Sequence, residues 1–278
     1  MIVFPNAKIN LGLNITSRRP DGYHDLDMVM MPVGWRDILE IVPAKGSATT
    51  LSVSGRSVGC PMEKNLVYRA WQKLNDAVDG NLPPVDIYLH KIIPDGAGLG
   101  GGSADAAFTL SALDTLFALG LGEQRLAEIA ASLGADCPFF IYNRPMHCTG
   151  TGTDMRPIDI DFGSATHILI AKPRDVSVST AEAYGGVRPA TPSTTTDVIV
   201  SGSTPSHWPG RLVNGFEAHI FAAKPRIAAV KKAISDAGAV YASMSGSGSA
   251  VFGLFENAKL AERAQTALDD CDCYIGPL

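Results

Sequence analysis

Glycine stands at positions 96, 98, 100, 101 and 102, between a strand-like run and a helix-like one, and this loop constrains the chain more than any other feature. Glycine loses the most backbone freedom on folding, and a tight turn needs only one or two. A run of them opening onto a helix serves another purpose. With no Cβ in the way, consecutive backbone N–H groups can approach an anion, and the positive end of the helix dipole lies behind them. The natural occupant is a phosphate chain. The helix reads from a stripe of Ala106, Ala107, Leu110, Leu113 and Phe117, with Gly120 as its stop.

Spacing separates the known kinds of phosphate loop. A Walker A loop needs Lys directly before Ser or Thr, but Gly102 precedes Ser103. A dinucleotide fingerprint is met literally by Gly96, Gly98 and Gly101, yet it requires a second parallel strand after the helix. Here residues 123–133 read as another helix, ending at Gly134. A nicotinamide dehydrogenase is disfavoured on that order of elements.

The rest of the chain is consistent with a globular enzyme. Its 278 residues are 46% hydrophobic and 18% charged, enough for one large domain or two modest ones. A net charge of −5 argues against non-specific nucleic-acid binding. Five cysteines, with no CxxC pair, point to neither a disulfide framework nor a zinc knuckle. Lys8 and three asparagines interrupt the first 15 residues, and no segment qualifies as a signal or a membrane span. A soluble, cytoplasmic protein is expected, as a monomer or weak homodimer.

Ile9, Leu11, Leu13 and Ile15 alternate with Asn10, Gly12 and Asn14, which predicts a half-buried strand. Lys8 shares the parity of the asparagines and is expected to point away from the apolar layer. Further strands are predicted at 37–42, 51–54, 85–89, 167–171, 240–244, 250–255 and 273–275. Helices are predicted at 65–77, 180–184, 212–221, 226–237 and 260–268, and 139–142 is a short apolar run. A domain boundary is expected within 145–163, and the Pro/Ser/Thr-rich stretch 189–209 reads as a mobile loop over one face. This order fits an α+β fold with mostly antiparallel sheets better than a doubly wound parallel one.

Three separated segments resemble the GHMP kinases, a family of ATP-dependent small-molecule kinases. Asn6-Ala7-Lys8-Ile9-Asn10-Leu11-Gly12-Leu13, continuing to Asp21-Gly22-Tyr23-His24, is similar to the first motif of the branch that acts on a cytidine diphosphate conjugate of methylerythritol. The stretch from Pro94 to Ala107 resembles the shared phosphate loop, and Ser245-Gly246-Ser247-Gly248-Ser249 with its flanks resembles the third motif. The resemblance implies a two-domain fold, divided as 1–155 and 156–278, with the active site in the cleft between the domains. It also implies transfer of the γ-phosphoryl group of ATP, with Mg2+, to the 2-hydroxyl of the methylerythritol moiety in the non-mevalonate isoprenoid route.

Roles follow by position. Asp136 matches the catalytic base and Lys8 its positive partner, which would hold Asp136 ionised. Pro94, Gly96, Ala97, Gly98, Leu99, Gly100, Gly101, Gly102 and Ser103 match the ATP phosphate loop, while Asn65 and Lys91 match residues flanking the adenine. Tyr23, His24 and Tyr184 match the cytosine-holding positions, where stacking on a pyrimidine is physically reasonable. Asn10, Thr180 and Asp136 complete the acceptor-substrate set. No protein ligand for the metal is unambiguous, Ser103 being a weak one.

Three positions depart from the family pattern: Ala104 replaces a frequent Ser, Gly150 to Asp154 only loosely follows the Gly-x-Gly-Glu turn, and Asn214-Gly215-Phe216-Glu217 replaces Asn-Asp-Leu-Glu. The rival readings are a homoserine, mevalonate or sugar kinase of the same family, and a nucleotide-binding regulator without catalysis.

Overall fold

The computed structural model describes residues 1–278 and contains twelve strands and nine α-helices. The strands are β1 (Ile2–Val3), β2 (Asn6–Arg18), β3 (His24–Arg36), β4 (Ile38–Pro43), β5 (Thr50–Gly55), β6 (Val85–Lys91), β7 (Met146–Gly150), β8 (Asp154–Pro157), β9 (His167–Pro173), β10 (Tyr241–Met244), β11 (Val251–Phe255) and β12 (Cys271–Pro277). The helices are α1 (Leu66–Ala77), α2 (Gly101–Leu116), α3 (Gly122–Ala131), α4 (Cys137–Tyr142), α5 (Thr180–Gly185), α6 (Thr196–Gly202), α7 (Glu217–Ala223), α8 (Pro225–Asp236) and α9 (Ala258–Gln265). Two compact units hold them: Met1–Ala7, Trp35–Asp95 and Gly100–Arg144 in the first, Lys8–Gly34, Gly96–Leu99 and Pro145–Leu278 in the second.

In the first unit a four-stranded sheet runs β1-β4-β6-β5. The β5–β6 pair is parallel because α1 makes the crossover between them; the other pairs are antiparallel. Asn65 caps α1, its side chain accepting from the Val67 N–H at 3.0 Å, and Val67, Ala70 and Leu74 face the core. α1 packs on α2, and α4 packs on α2 and α3. The apolar run 139–142, given no helical character by its sequence pattern, is part of α4. Pro138 sits at its first turn, and the left-handed Asn143, whose N–H donates to the Phe139 carbonyl at 2.8 Å, ends it.

The second unit carries the sheet β10-β11-β9-β12, wholly antiparallel, with α8 and α9 against it. It also carries most of the sheet β2-β3-β7-β8. The predicted α+β class with mostly antiparallel sheets is therefore what the structure has.

Two expectations are corrected here, and three strands are added. First, β2 is not half-buried: Lys8 is 4% and Asn10 1% exposed. On the face expected to meet water the Asn10 amide donates to Met28 Sδ at 3.2 Å and a Cβ on Gly246 would lie 3.4 Å from Asn10 Oδ1, while residues 212–215 run beside Leu13. The Leu13 N–H donates to the Val213 carbonyl at 2.8 Å and the Gly215 N–H to the Leu13 carbonyl at 2.7 Å. Gly12, at φ +70°, is required there, since a Cβ would lie 2.6 Å from Leu212. That pairing is also why the helix predicted at 212–221 starts only at Glu217.

The added strands β3, β7 and β8 form without a clear period-two pattern, because β3 is buried on both faces along most of its length. Second, 189–209 is not a bare loop. It contains α6 and a short 3-10 turn at Pro205–His207, anchored by the fully buried Trp208, whose indole donates to the Ser203 carbonyl at 3.0 Å.

Candidate active site

In the second unit the glycine loop and the third motif are knit together by backbone groups. The Ala250 N–H donates to the Ala97 carbonyl at 3.1 Å, and the Ser245 hydroxyl to the Gly98 carbonyl at 2.9 Å. Gly98 has φ +72°, and a Cβ on it would fall 2.0 Å from the Ser245 carbonyl oxygen. No other residue fits. β2 joins through the Lys8 N–H, which donates to the Leu99 carbonyl at 2.9 Å.

The side chains of Lys8 and Asn10 meet on that strand, Nζ to Oδ1 at 2.6 Å, as their shared parity requires. The third motif is held from below by Asn214 and Glu217. The Asn214 amide donates to the Met244 and Gly246 carbonyls, each at 2.8 Å, and Glu217 accepts from the Met244 N–H at 2.8 Å. Their motif was visible in the sequence, but what they support was not.

In the first unit the helix α2 opens at Gly101 behind Gly100, whose lack of a side chain leaves the first turn uncapped. The first intrahelical N–H bond is that of Ala104 to the Gly100 carbonyl, so the N–H groups of Gly101, Gly102 and Ser103 precede the helical ladder. Asp136 is half-buried at the N-cap of α4 and makes no capping hydrogen bond. Burial pushes the neighbouring Cys137 thiol up to about 11, even though Ser103 hydrogen-bonds it. Cys137 stays a protonated, packed thiol at neutral pH.

Beside the start of α2 lies a cavity of about 200 Å³ in the first unit, lined by Val58, Leu66 and Leu89 and by the polar Asn65, Lys91 and Asp105. Sequence reasoning placed Asn65 and Lys91 at one nucleotide pocket, and both do line this cavity. Lys91 is not an exposed cation, however. It is 3% exposed and paired with both Asp37 and Asp105, the latter at 2.7 Å. Asp37 also accepts the Ile92 and Ile93 N–H groups. Neither aspartate was singled out from sequence; the Asp in the phosphate-loop motif was the one available signal.

Tyr184 and His24 are brought together with rings stacked at 4.8 Å and 24°, and Tyr184 meets Phe216 edge-on at 4.9 Å. The two rings stack on one another directly, so a pyrimidine would stack on an outer face of the pair. Tyr23 and Thr180 are exposed, Thr180 at the start of α5.

A second polar knot lies in the same unit. Asp27 accepts from His147 Nε2 at 2.7 Å, from the Thr196 N–H at 2.9 Å and from Asn14 at 3.1 Å, while His147 Nδ1 accepts from Arg156 at 2.9 Å. Burial would raise the Asp27 carboxyl, but the hydrogen bonds from His147, Thr196 and Asn14 outweigh it and hold it below the usual range. With Asp197 these residues place ligand atoms within 4.8 Å of one another. Both ring nitrogens of His147 and both oxygens of Asp27 are engaged, while the buried Asp197 Oδ1 has no donor, and the group ties α6 to β3, β7 and β8.

Residues 65–144 match the description of the GHMP kinases N terminal domain, and residues 206–273 that of the GHMP kinases C terminal. A GHMP-type small-molecule kinase is the class. A 4-diphosphocytidyl-2-C-methyl-D-erythritol kinase from Parabacteroides distasonis is 46% identical over 278 residues, covering 100% of both chains. One from Bacteroides fragilis is 47% identical over 257 residues, 92% of each chain. A crystal structure of 4-(cytidine 5'-diphospho)-2C-methyl-D-erythritol kinase aligns with a TM-score of 0.84 at 33% identity, covering 100% of this chain and 98% of that one. A homoserine kinase from Cytophaga hutchinsonii, at a TM-score of 0.71 and 18% identity over 98% of this chain and 94% of that one, shares the fold alone. The chain belongs to the GHMP kinases and, within them, to the family of the 4-diphosphocytidyl-2-C-methyl-D-erythritol kinases.

Proposed function

We propose that this protein transfers the γ-phosphoryl group of ATP to the 2-hydroxyl of 4-diphosphocytidyl-2-C-methyl-D-erythritol, in the cytoplasmic supply of isoprenoid precursors by the non-mevalonate route. The observation that carries the reading is the full-length identity to kinases named for that substrate. Magnesium enters with ATP, as part of the substrate. The chain acts as a monomer or weak homodimer, and its halves divide near residue 155.

Phosphoryl transfer asks little covalent chemistry of a protein and much positioning. Gly96, Ala97, Gly98, Leu99, Gly100, Gly101, Gly102 and Ser103, entered from Pro94, cradle the phosphates with backbone N–H groups. Asp136 accepts the proton of the acceptor hydroxyl. Lys8, held by Asn10, offsets the negative charge that develops on the attacking oxygen. Tyr23, His24 and Tyr184 hold the cytosine and Thr180 a polar part of the acceptor, while Asn65 and Lys91 border the adenine.

The test is ADP release with MgATP, in parallel with the cytidine compound, mevalonate, homoserine and galactose. Turnover with the cytidine compound alone is expected; turnover with another acceptor removes the cytosine assignments, and none with any acceptor removes the kinase. Asp136→Asn should then lower kcat by about 10²–10⁴-fold, the usual contribution of a general base, while ATP binding by calorimetry stays within a few fold. Turnover near that of the parent protein would take Asp136 out of this role.

A further inference from the structure

Helix α5 carries Tyr184 and is by itself a poor support for it. It is six residues long and buries only Ala183. Isolated helices shorter than about 12–15 residues are marginal in water, so where Tyr184 points is decided by what α5 rests on. Much of that support comes from α7 and its borders. Phe216 meets the Tyr184 ring edge-on at 4.9 Å and 85°. His219 closes on Gly186, where a Cβ would fall 2.0 Å from its Nδ1. Lys224 Nζ pairs with Glu182 Oε1 at 3.2 Å, a partly exposed contact that adds little.

The two rings against Tyr184 differ in how firmly they are held. His24 is half-buried and follows the exposed turn Asp21-Gly22-Tyr23. Phe216 is 2% exposed, and its N–H donates to Asn214 Oδ1 at 2.9 Å. Asn214 is fixed in turn by its amide, which donates to the Met244 and Gly246 carbonyls. A close-packed interior leaves a buried ring little freedom, so Phe216 is the fixed reference and His24 the adaptable neighbour. The family pattern has Leu where this chain has Phe216, and a leucine fills space without offering a ring edge.

We propose that Phe216 is a positioning residue for the acceptor substrate: it sets the plane in which Tyr184 presents its ring to the pyrimidine. The inference rests on the reading of His24 and Tyr184 as the rings that hold the cytosine. Aromatic pairs have preferred geometries because each ring has a negative face and a positive edge, so an edge-on neighbour fixes orientation as well as position. The segment that carries Phe216 also supports the third motif through Asn214 and Glu217. The acceptor rings and that motif are thereby referenced to one rigid stretch of chain.

The experiment measures KM for the cytidine acceptor, KM for ATP and the inhibition constant of cytidine 5'-diphosphate against the acceptor. The proteins are the parent, Phe216→Leu, Phe216→Ala and Tyr184→Leu. Phe216→Leu keeps an apolar side chain and removes the ring edge. An edge-on aromatic pair favours its held arrangement by about 2–10-fold, so the acceptor KM and the inhibition constant are expected to rise by that factor in Phe216→Leu and by no less in Phe216→Ala. KM for ATP is expected to change by less than the acceptor KM. These constants are insensitive to the fraction of folded protein, so a loss of stability alone does not reproduce the pattern, and Phe216→Leu decides if Phe216→Ala fails to fold. An acceptor KM in Phe216→Leu equal to that of the parent overturns the assignment, and so do equal rises for ATP and acceptor. If Tyr184→Leu raises the acceptor KM while Phe216→Leu does not, only the role of Phe216 falls. An unchanged acceptor KM in Tyr184→Leu removes the cytosine reading beneath it as well.

Discussion

The chain buries two polar clusters, and they are built differently. Around Asp27 each carboxylate oxygen has a donor, and His147 is bonded at both ring nitrogens. Around Lys91 one ammonium lies between two carboxylates, and Asp105 Oδ1 is buried without a donor, as is Asp197 Oδ1 beside the Asp27 group. At Asp27 neutral donors and one histidine surround the carboxylate, whereas at Lys91 two carboxylates compete for one ammonium. The same contrast shows in ionisation: hydrogen bonds overcome burial at Asp27, whereas burial overcomes Lys91 at Asp105 and raises its carboxyl to about 7.

That comparison breaks most visibly at Asp37. Asp37→Ala leaves Lys91 with one partner and two backbone N–H groups with none, and should lower unfolding free energy by about 3–5 kcal/mol, read from urea titration. A loss below about 1 kcal/mol would mean Asp105 alone balances Lys91.

Asp27→Asn keeps the shape but replaces an acceptor of several hydrogen bonds, and should cost about 1–3 kcal/mol. A loss below about 0.5 kcal/mol in urea titration would show that the knot does not hold α6 to β3, β7 and β8.

The smallest effect is one of sign with pH. The Asp105 carboxyl is raised when folded, so between about 4, its unfolded value, and about 7 the folded chain binds the extra proton. Stability from this group therefore falls as pH rises through that window, and Asp105→Asn should flatten the fall in thermal scans. Lys91 and Asp37, with Lys64 and Asp95 at the cavity, are the charged groups around it. Asp27 has the opposite sign: depressed when folded, it stabilises above about 4 and loses that contribution only on further acidification. An unchanged slope in Asp105→Asn would place the shared proton elsewhere in the cluster.

What was legible in advance follows periodicity and local chemistry. The strand around Ile9–Ile15 alternates, a helix is predicted over 65–77, and the glycines before Ser103 point to a close backbone approach. Elements such as β3 and α6 were not legible, because burial on both faces erases the period-two signal and a Pro/Ser/Thr-rich composition hides a short helix fixed by Trp208 and Thr196. The aromatic pair His24–Tyr184 was named from its motif, but its direct stacking depends on two segments 160 residues apart in sequence.

By itself the sequence determined the class of fold and the kinase family and marked the glycine-rich loop, because each depends on residue types at short, fixed spacings. Tertiary structure decided the rest. Whether Asn10 faces water or protein depends on Met28 and the turn at Gly246, and whether Lys91 is a free cation or a neutralised one depends on Asp37 and Asp105, which approach it from two other parts of the chain. Burial and charge balance are properties of what packs around a residue, and no local pattern of the chain records them.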